Sequence, residues 1–564
     1  MRFGSAVGFV LFNVTVPQMR DYLRNILTRS RRGVPRRRGS SPAEVAVGRH
    51  PQEGAVMFAK INSMGLFGLN AFAVQAETEV SRGTPCFDIV GLGDTAVKES
   101  RERIRAAFRS AELKFPLARV IVNLAPADTK KTGSVHDLAI FVSILKATGE
   151  ITDDLDRTAF IGEVSLNGDV RPVNGVLPMV LCAEREGFDT VFVPAANAYE
   201  ASVAEGVTVY GVENVREILG HFSREAVLIP QKKYEVLPEK WFDTVDFADV
   251  KGQQTVKKAM EYAAAGGHNL LMIGPPGSGK SMLAKRLSTI MPAMTFRESV
   301  ETTNIHSVCG IVSREEPLVV KRPFRSPHHT ISAAGLSGGG GVPRPGEISL
   351  AHNGILFLDE LPEFSRQALE ILRQPLEDKQ VTISRASGTV TYPCSFMLVA
   401  AMNPCPCGYF GHPTRKCICG QKQARAYINK ISGPLLDRFD IQVEVAPVEY
   451  SHLSSKAKEE SSAAIRERVQ RAREIQQERF KGTDIICNAG ITSDILHEVC
   501  PVTEAGNELL KGVFEKMGLS ARAYDRIIKV SRTVADMDGS EVIDRPHIAK
   551  AVQFRSLDRK YWNE

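Results

Sequence analysis

The stretch Gly274-Pro275-Pro276-Gly277-Ser278-Gly279-Lys280-Ser281 decides the fold of the central part of this chain. It fits the pattern G-x-x-x-x-G-K-[ST], whose glycines let backbone N–H groups point at phosphate oxygens. In this pattern Lys280 reaches the β- and γ-phosphates, and the Ser281 hydroxyl ligates Mg²⁺. Residues 269–273 read as a short buried strand, and residues 281–287 as a helix whose N-terminus favours an anion. The flanks therefore predict a strand, a phosphate-binding loop and a helix, in that order.

A second stretch, Gly354-Ile-Leu-Phe-Leu-Asp359-Glu360, is an apolar strand that ends in two carboxylates. We expect Asp359 to hold the Mg²⁺ shell, and Glu360 to orient or deprotonate the attacking water. The two stretches together predict a site that hydrolyses ATP or GTP with Mg²⁺ as cofactor.

The composition is that of an ordinary globular protein. The chain has 564 residues, enough for several domains, and 43% of them are hydrophobic and 24% charged. No apolar stretch approaches the roughly 18 residues of a membrane-spanning helix, so we expect no membrane partner. Four of the ten cysteines fall between 405 and 419. Such clustering favours a metal site in a reducing compartment, and hence a cytoplasmic location, over a disulfide framework.

The net charge of +6 has an uneven origin. Residues 1–56 carry ten arginines and three acids, which leaves the rest of the chain near neutral at −1. Basicity therefore does not by itself indicate that the folded body binds nucleic acid. We interpret residues 1–56 as disordered, or as sequence upstream of a natural start at Met57. The alternative is a basic nucleic-acid-binding tail or a targeting segment.

Composition and periodicity predict an α/β multidomain protein. In residues 57–228, strands are expected at 71–77, 119–124 and 190–194, and helices near 95–111 and 136–148. A long exposed helix is expected within 451–480. The predicted segments are an N-terminal extension at 1–56, an α+β domain at 57–228, a linker at 229–242, a P-loop α/β core at 243–447 with a cysteine-rich insertion at 405–419, a charged helical linker at 448–484, and a C-terminal helical lid at 485–564.

Further motifs follow the order found in AAA+ ATPases, which this part of the chain resembles. They are Val250-Lys-Gly252-Gln253, Phe396-Met-Leu-Val-Ala-Ala-Met-Asn403, Leu435-Leu-Asp-Arg438-Phe-Asp440 and Ser520-Ala-Arg522.

The AAA+ resemblance implies a role for each of these motifs. Gly252 and Gln253 are placed at the adenine, and Asn403 at the sensor 1 position beside the lytic water. Arg438 matches the arginine finger, which acts on a neighbouring subunit's γ-phosphate and so implies a ring. Arg522 matches sensor 2.

Longer strings narrow the resemblance to the YifB/ComM family of magnesium-chelatase-like AAA+ ATPases. They are Val90-Gly-Leu-Gly-Asp-Thr-Ala-Val-Lys-Glu-Ser-Arg-Glu-Arg103, Arg322-Pro-Phe-Arg-Ser-Pro-His-His-Thr330 and Pro345-Gly-Glu-Ile-Ser-Leu-Ala-His352. The resemblance covers about residues 57–560 and implies a hexameric motor. ComM proteins are linked to branch migration of DNA during natural transformation, whereas many YifB proteins have no assigned role.

Residues 377–394 carry a hairpin signal, because two alternating runs flank Ala386-Ser-Gly388. Its place before the sensor 1 strand resembles the inserted β-hairpin of chelatase and helicase relatives, which projects into the ring channel. Lys379 and Arg385 are then candidate DNA phosphate contacts, and single-stranded or branched DNA is the expected partner. The alternative is an exposed hairpin with ordinary surface charges.

Two other segments have weaker signals. The glycines 338–341 predict a flexible segment that is a candidate for a second channel loop. His328 and His329 are interpreted as structural or substrate-facing rather than as metal ligands.

The cysteines read Cys405-Pro-Cys407, then nine residues, then Cys417-Ile-Cys419. Four thiolates suit a closed tetrahedral Zn²⁺ site, although C-x-C pairs are tighter than the usual spacing. Cys394 and His412 are candidate substitutes for a ligand. Unligated thiols and redox chemistry stay open as alternatives.

The region 57–228 resembles the Lon protease domain, in which a lysine activates a serine. In Lys131-Thr-Gly-Ser134-Val135-His-Asp137 the serine position, counted from Asp137, is held by Val135. The stretch 174–179 lacks the lysine of the family. We therefore expect a non-proteolytic domain.

Three functions follow from these features. The first is a DNA-directed, ATP-driven hexameric motor. The second is a chelatase-type ATPase that remodels a protein partner for metal insertion, against which the Lon-like N-terminal domain argues. The third is a regulatory module whose ATPase acts as a switch.

Overall fold

The computed structural model describes residues 57–235, 245–447 and 459–561, except 342, 387, 413, 518–519, 556 and 558–560. The proposed segment at 1–56 lies outside the described residues. No helix in the described ranges is both long enough and apolar enough to cross a bilayer.

The first part of the chain forms a mixed seven-stranded sheet with a small β-ribbon beside it. Its strands are β1 Met57–Phe67, β2 Asn70–Ser81, β3 Cys86–Val90, β4 Arg119–Ala125, β5 Thr158–Phe160, β6 Glu163–Val164, β7 Val170–Arg171, β8 Thr190–Pro194 and β9 Thr208–Val212. The order in the sheet is β3-β4-β2-β1-β5-β8-β9, and β6 pairs with β7 in the ribbon. Strand β2 runs antiparallel to both β1 and β4, whereas the other neighbours in the sheet are parallel.

Helices cover both faces of this sheet. They are α1 Thr95–Ser110, α2 Asp137–Thr148, α3 Val176–Arg185, α4 Ala195–Ala201 and α5 Val215–Phe222. Successive strand residues point to opposite faces, so Phe160 joins the apolar cluster under α1 and α2 while Ala159 joins the cluster under α3 and α4. The strands expected at 71–77, 119–124 and 190–194 and the helices near 95–111 and 136–148 are confirmed.

The second part contains a five-stranded, fully parallel sheet. Its strands are β10 Leu270–Ile273, β11 Phe324–Arg325, β14 Ile355–Leu358, β17 Met397–Met402 and β18 Ile441–Glu444. The order β11-β14-β17-β10-β18 places the phosphate-loop strand β10 between β17 and β18. Leu270 and Met272 face one apolar cluster and Leu271 and Ile273 the other, as expected for a parallel sheet buried on both faces.

This part also contains two β-hairpins, β12 Gly338–Gly339 with β13 Arg344–Pro345, and β15 Gln380–Arg385 with β16 Gly388–Pro393. The Tyr392 hydroxyl donates to the carbonyl of Pro343 at 2.9 Å, so the two hairpins pack together.

The remaining helices surround the parallel sheet and form the C-terminal region. They are α6 Gln254–Gly266, α7 Lys280–Ile290, α8 Phe296–Cys309, α9 Ala333–Ser337, α10 Glu347–Leu350, α11 Arg366–Ile371, α12 Arg373–Asp378, α13 Gln421–Ile428, α14 Gly433–Leu436, α15 Ser462–Arg479, α16 Leu496–Val499, α17 Glu504–Met517, α18 Ala521–Met537 and α19 Arg545–Gln553. Short 3₁₀ turns lie at Phe247–Asp249, Leu361–Glu363 and Asn488–Gly490.

The long helix expected within 451–480 is confirmed as α15 in the described residues 459–480, but the expectation that it is exposed is wrong. Helix α15 buries Ile465, Val469, Ala472 and Gln476, which recur every three or four residues and form one stripe. That stripe packs against α6, α7 and α18. Because the opposite face of the helix is highly charged, the sequence indicated an exposed helix.

Among the described residues, the contacts between the N-terminal sheet region and the parallel-sheet region include the following. The amide of Gly175 donates to the carbonyl of Ser307 at 3.0 Å, and the Ser307 hydroxyl bonds to Glu200. At the tip of the β15–β16 hairpin, a methyl group on Gly388 would lie 2.7 Å from Cζ of Phe67. The β1–β2 turn therefore contacts this hairpin directly.

Candidate nucleotide-hydrolysis site

The phosphate-binding loop lies between β10 and α7, as its flanks predict. Gly277 and Gly279 have φ of 77° and 91°, a left-handed conformation that glycine adopts at little cost. The amide of Gly274 donates to the carbonyl of Met402 at 3.1 Å, which ties the start of the loop to the end of β17. Helix α7 begins at Lys280, so its N-terminal N–H groups open toward the loop.

Lys280 is buried and held by three acceptors. Its ammonium donates to the carbonyls of Gly274 at 2.8 Å and Pro275 at 2.9 Å, and to Oδ1 of Asn403 at 3.1 Å. Burial lowers the pKa of Lys280 below its ordinary value, and the two carboxylates after β14 partly oppose that shift. The sensor 1 candidate is thus in contact with the loop lysine.

Ser281 and Asp359 are 78 positions apart in sequence and meet in the structure. The Ser281 hydroxyl donates to Oδ2 of Asp359 at 2.5 Å. A hydroxyl and a carboxylate are the hard oxygen ligands that Mg²⁺ takes beside nucleotide phosphates, so this pair fits the metal. Both residues line a cleft of about 360 Å³ together with the loop, Glu360 and Asn403.

Glu360 has a backbone conformation that is rare for a side chain of its size, with φ of 53°. Its side chain is 54% exposed, and Oε2 lies 3.3 Å from Nδ1 of His329. His329 in turn packs against His328, with ring centroids 4.1 Å apart and ring planes tilted by 33°. His329 therefore contacts the carboxylate expected to act on water, a contact that sequence reasoning missed. The string 322–330 was the only available signal.

Gly252 and Gln253 lie beside the nucleotide loop rather than among the residues that line the cleft. The side-chain amide of Gln253 donates to the carbonyl of Ala446 at 2.5 Å. The backbone N–H of Gly252 donates to the Glu459 carboxylate at 3.1 Å. Since β18 ends two residues before Ala446, this contact lies close to the start of the loop.

Arg438 lies in a second cleft, of about 440 Å³, and not in the nucleotide cleft of its own chain. Its guanidinium pairs with Glu377 and is 11% exposed, while Nε is buried without a hydrogen-bond partner among the described residues. Burial lowers the pKa of Arg438, and the like charges of Arg526 and Arg522 lower it further.

Arg522 is exposed near the N-terminus of α18, and its charge acts on Arg438. It does not line the nucleotide cleft of its own chain. The structure thus brings the two predicted arginines toward one another, and both lie outside that cleft.

Lys379 and Arg385 occupy different places. Lys379 directly follows α12 and has φ of 56°. It lines the cleft that holds Arg438, at the base of the β15–β16 hairpin. Arg385 is exposed at the hairpin tip, 3.2 Å from where a Cβ of Gly339 would lie. Arg385, but not Lys379, therefore lies next to the β12–β13 hairpin, which contains Gly339.

Four cysteine sulfurs converge after β17. The Sγ atoms of Cys405, Cys407, Cys417 and Cys419 all lie within 4.8 Å of one another. The candidate substitutes lie apart: buried Cys394 points at the carbonyl of Pro375, and His412 Nδ1 accepts from backbone amides of its own loop.

The Lon-like stretch makes no serine–lysine pair between its own residues. The Ser134 hydroxyl bonds to Glu163, and the ammonium of buried Lys131 bonds to the carbonyl of Pro126. His136 is also buried and has its Nδ1 3.0 Å from the Ser63 hydroxyl.

Family models cover most of the described chain. The model described as magnesium chelatase, subunit ChlI, matches residues 246–453, and that described as its C-terminal part matches 459–555. The model described as subunit ChlI of Mg-chelatase matches residues 76–197.

Three curated relatives illustrate the similarity. The chain is 40% identical over 508 residues to Competence protein ComM of Haemophilus influenzae, with 88% of this chain and 97% of that protein covered. It is 39% identical over 503 residues to the uncharacterized protein YifB of Escherichia coli, with the same coverage. Lon protease 2 of Bacillus subtilis is 30% identical over 154 residues, which cover 25% of this chain and 26% of the protease. With such identity over nearly the whole length of ComM and YifB, the chain belongs to the YifB/ComM family of magnesium-chelatase-like AAA+ proteins.

Proposed function

We propose that this protein is an ATP-hydrolysing motor that acts on DNA, as a hexameric branch-migration helicase in recombination or natural transformation. The observation that carries the ATPase part is the convergence of Lys280, Ser281, Asp359 and Glu360 on one cleft. The DNA part rests on the similarity to Competence protein ComM and on the position of Arg385.

Nucleotide binding follows from the loop and its lysine. The N–H groups of the glycine-rich loop and of the first turn of α7 cradle the phosphates. The Lys280 ammonium exchanges its bonds to loop carbonyls for bonds to the β- and γ-phosphates. Gly252 and Gln253 are proposed to meet the adenine.

Hydrolysis requires a positioned water beside the γ-phosphate. Ser281 and Asp359 hold Mg²⁺, which supplies charge neutralisation for the phosphates. Glu360 takes a proton from the water, and Asn403, already bonded to Lys280, helps to place that water. His329 contacts the Glu360 carboxylate and so positions it.

The arginines are proposed to complete a neighbouring subunit's site. Arg438 has an acidic partner, Glu377, which is 53% exposed. The γ-phosphate of ATP bound by the next subunit carries more negative charge than the Glu377 carboxylate, and it displaces that carboxylate from Arg438. Arg522, exposed near Arg438, joins it as sensor 2 in the same contact. Action in trans in this way requires a ring.

DNA contact is assigned to the two packed hairpins. Arg385 at the tip of β15–β16 and Arg344 in β13 are both exposed, and Lys379 lies at the base of the former hairpin. Exposed arginines on strand pairs contact backbone phosphates without reading sequence. The proposed substrate is therefore single-stranded or branched DNA.

The second candidate is a chelatase-type ATPase that remodels a protein for metal insertion. It is favoured by the family model for the chelatase subunit over residues 246–453. The Lon-like N-terminal domain argues only weakly against a chelatase-type function, because a family model described as a chelatase subunit also matches residues 76–197.

The test is movement of a fluorescently labelled four-way DNA junction by the full chain with ATP and Mg²⁺. The proposal predicts conversion of the junction to duplex products, which stops in Lys280→Ala. Failure to move any branched DNA by a protein that hydrolyses ATP would overturn the DNA part and favour the second candidate.

A further inference from the structure

The segment that contains two of the four clustered cysteines contacts the phosphate-binding loop. The segment 402–408 starts at the end of β17 and contains two of the four cysteines. Three contacts join it to the loop: the Gly274 amide to the Met402 carbonyl at 3.1 Å, Lys280 to Asn403 at 3.1 Å, and Gly408 against Pro276.

The contact between Gly408 and Pro276 is tightly packed. Gly408 has φ of 82°, and a methyl group on it would lie 2.6 Å from Cγ of Pro276 and closer still to Cδ. Close-packed atoms transmit displacements, so the position of Gly408 sets the position of the loop.

The sulfur geometry matches one tetrahedral ion. Three Sγ–Sγ distances are 3.4 Å, 3.7 Å and 3.6 Å among Cys405, Cys407 and Cys417, and Cys419 completes the group. A tetrahedral Zn²⁺ with bonds of about 2.3 Å separates its sulfurs by about 3.8 Å. Four protein ligands close the site, which is the structural rather than the catalytic arrangement.

We propose that Zn²⁺ bound by Cys405, Cys407, Cys417 and Cys419 fixes the segment 402–408 and thereby holds the phosphate-binding loop in its nucleotide-binding form. The ion pins the chain at Cys405 and Cys407, between the Asn403 and Gly408 contacts. Zinc and ATP then raise each other's affinity, because coupling between two sites is reciprocal. This inference rests on the proposed ATP-binding function.

Metal content is measured first, on the full chain purified without chelators. About one zinc per chain is expected, and the ion is expected to be lost in Cys417→Ser but kept in Cys86→Ser, whose thiol lies in β3 outside the cluster. Iron in place of zinc, or no metal in the wild type, would overturn the proposal.

Coupling is measured with a fluorescent ATP analogue on two matched glycine variants. Gly411 also has a left-handed φ, 74°, but a methyl group there would meet no atom within 4 Å. Gly408→Ala and Gly411→Ala therefore share the backbone cost and differ in the contact with Pro276. We expect Gly408→Ala to keep its zinc and to bind the analogue at least about fivefold more weakly than Gly411→Ala, the low end of typical coupling.

A measurement on the wild type covers the case in which Gly408→Ala does not fold. Zinc release to a chromogenic chelator is expected to slow when ATP is present. Equal binding by the two variants, or release unaffected by ATP, would refute the coupling while leaving the ATPase proposal intact. A wild type that holds zinc but binds no ATP would instead refute the ATPase proposal, and the coupling with it.

Discussion

Removing the Lys280 ammonium is expected to weaken ATP binding by roughly 10²-fold. A hydrogen bond to a charged group contributes about 1.5 to 3 kcal/mol, and this lysine is expected to contact two phosphates. In the nucleotide-free protein the ammonium already has three acceptors, so ATP exchanges existing bonds rather than adding new ones. The low end of the range therefore applies, about 3 kcal/mol in total, which is roughly 10²-fold in affinity.

The assay is titration of Lys280→Ala with a fluorescent ATP analogue in the presence of Mg²⁺. Lys285→Ala is the matched control, since Lys285 is an exposed lysine on the same helix α7. It is expected to bind as the wild type does. If Lys280→Ala bound within threefold of Lys285→Ala, the assignment of this lysine to the phosphates would be wrong.

Three further predictions concern other parts of the chain. Glu360→Gln should bind ATP normally while turnover falls by about 10²- to 10⁴-fold, the range for general base catalysis, and full turnover in a phosphate-release assay would contradict that role. Arg438→Ala and Glu360→Gln subunits should each be inactive alone and recover ATPase activity when mixed; no recovery would mean that Arg438 does not act in trans. Burial lowers the pKa of His136 to about 4 from an unfolded value near 6.5, so folding stability falls as the pH drops through that window. In denaturant titrations His136→Gln should reduce the loss between pH 7 and pH 4 by about 3 kcal/mol, and an unchanged pH profile would refute this.

Residues named from local motifs lie together in one cleft, because each motif contains its own structural context. The apolar runs before Gly274 and before Asp359 were each interpreted as a buried strand, and both are strands in the structure. Parallel strands of one sheet end at the same edge, so Ser281 and Asp359 meet across 78 positions.

Contacts between distant segments were not predictable in the same way. The pairing of His329 with Glu360 and of Arg438 with Glu377 depends on how loops fold over the sheet edge. The four cysteines suggested a metal site, but nothing in their spacing indicated that Gly408 would press on Pro276. For α15 the helical spacing predicted the helix, but the many charged residues on one face wrongly indicated that the whole helix is exposed.

The rate of ATP hydrolysis with and without DNA tests the central claim most directly. The full chain with Mg²⁺ is assayed alone, with single-stranded DNA and with a four-way junction, and Lys280→Ala gives the background. The account predicts hydrolysis above that background and a clear increase with DNA. Hydrolysis that no DNA stimulates, but that a protein partner does, would contradict it.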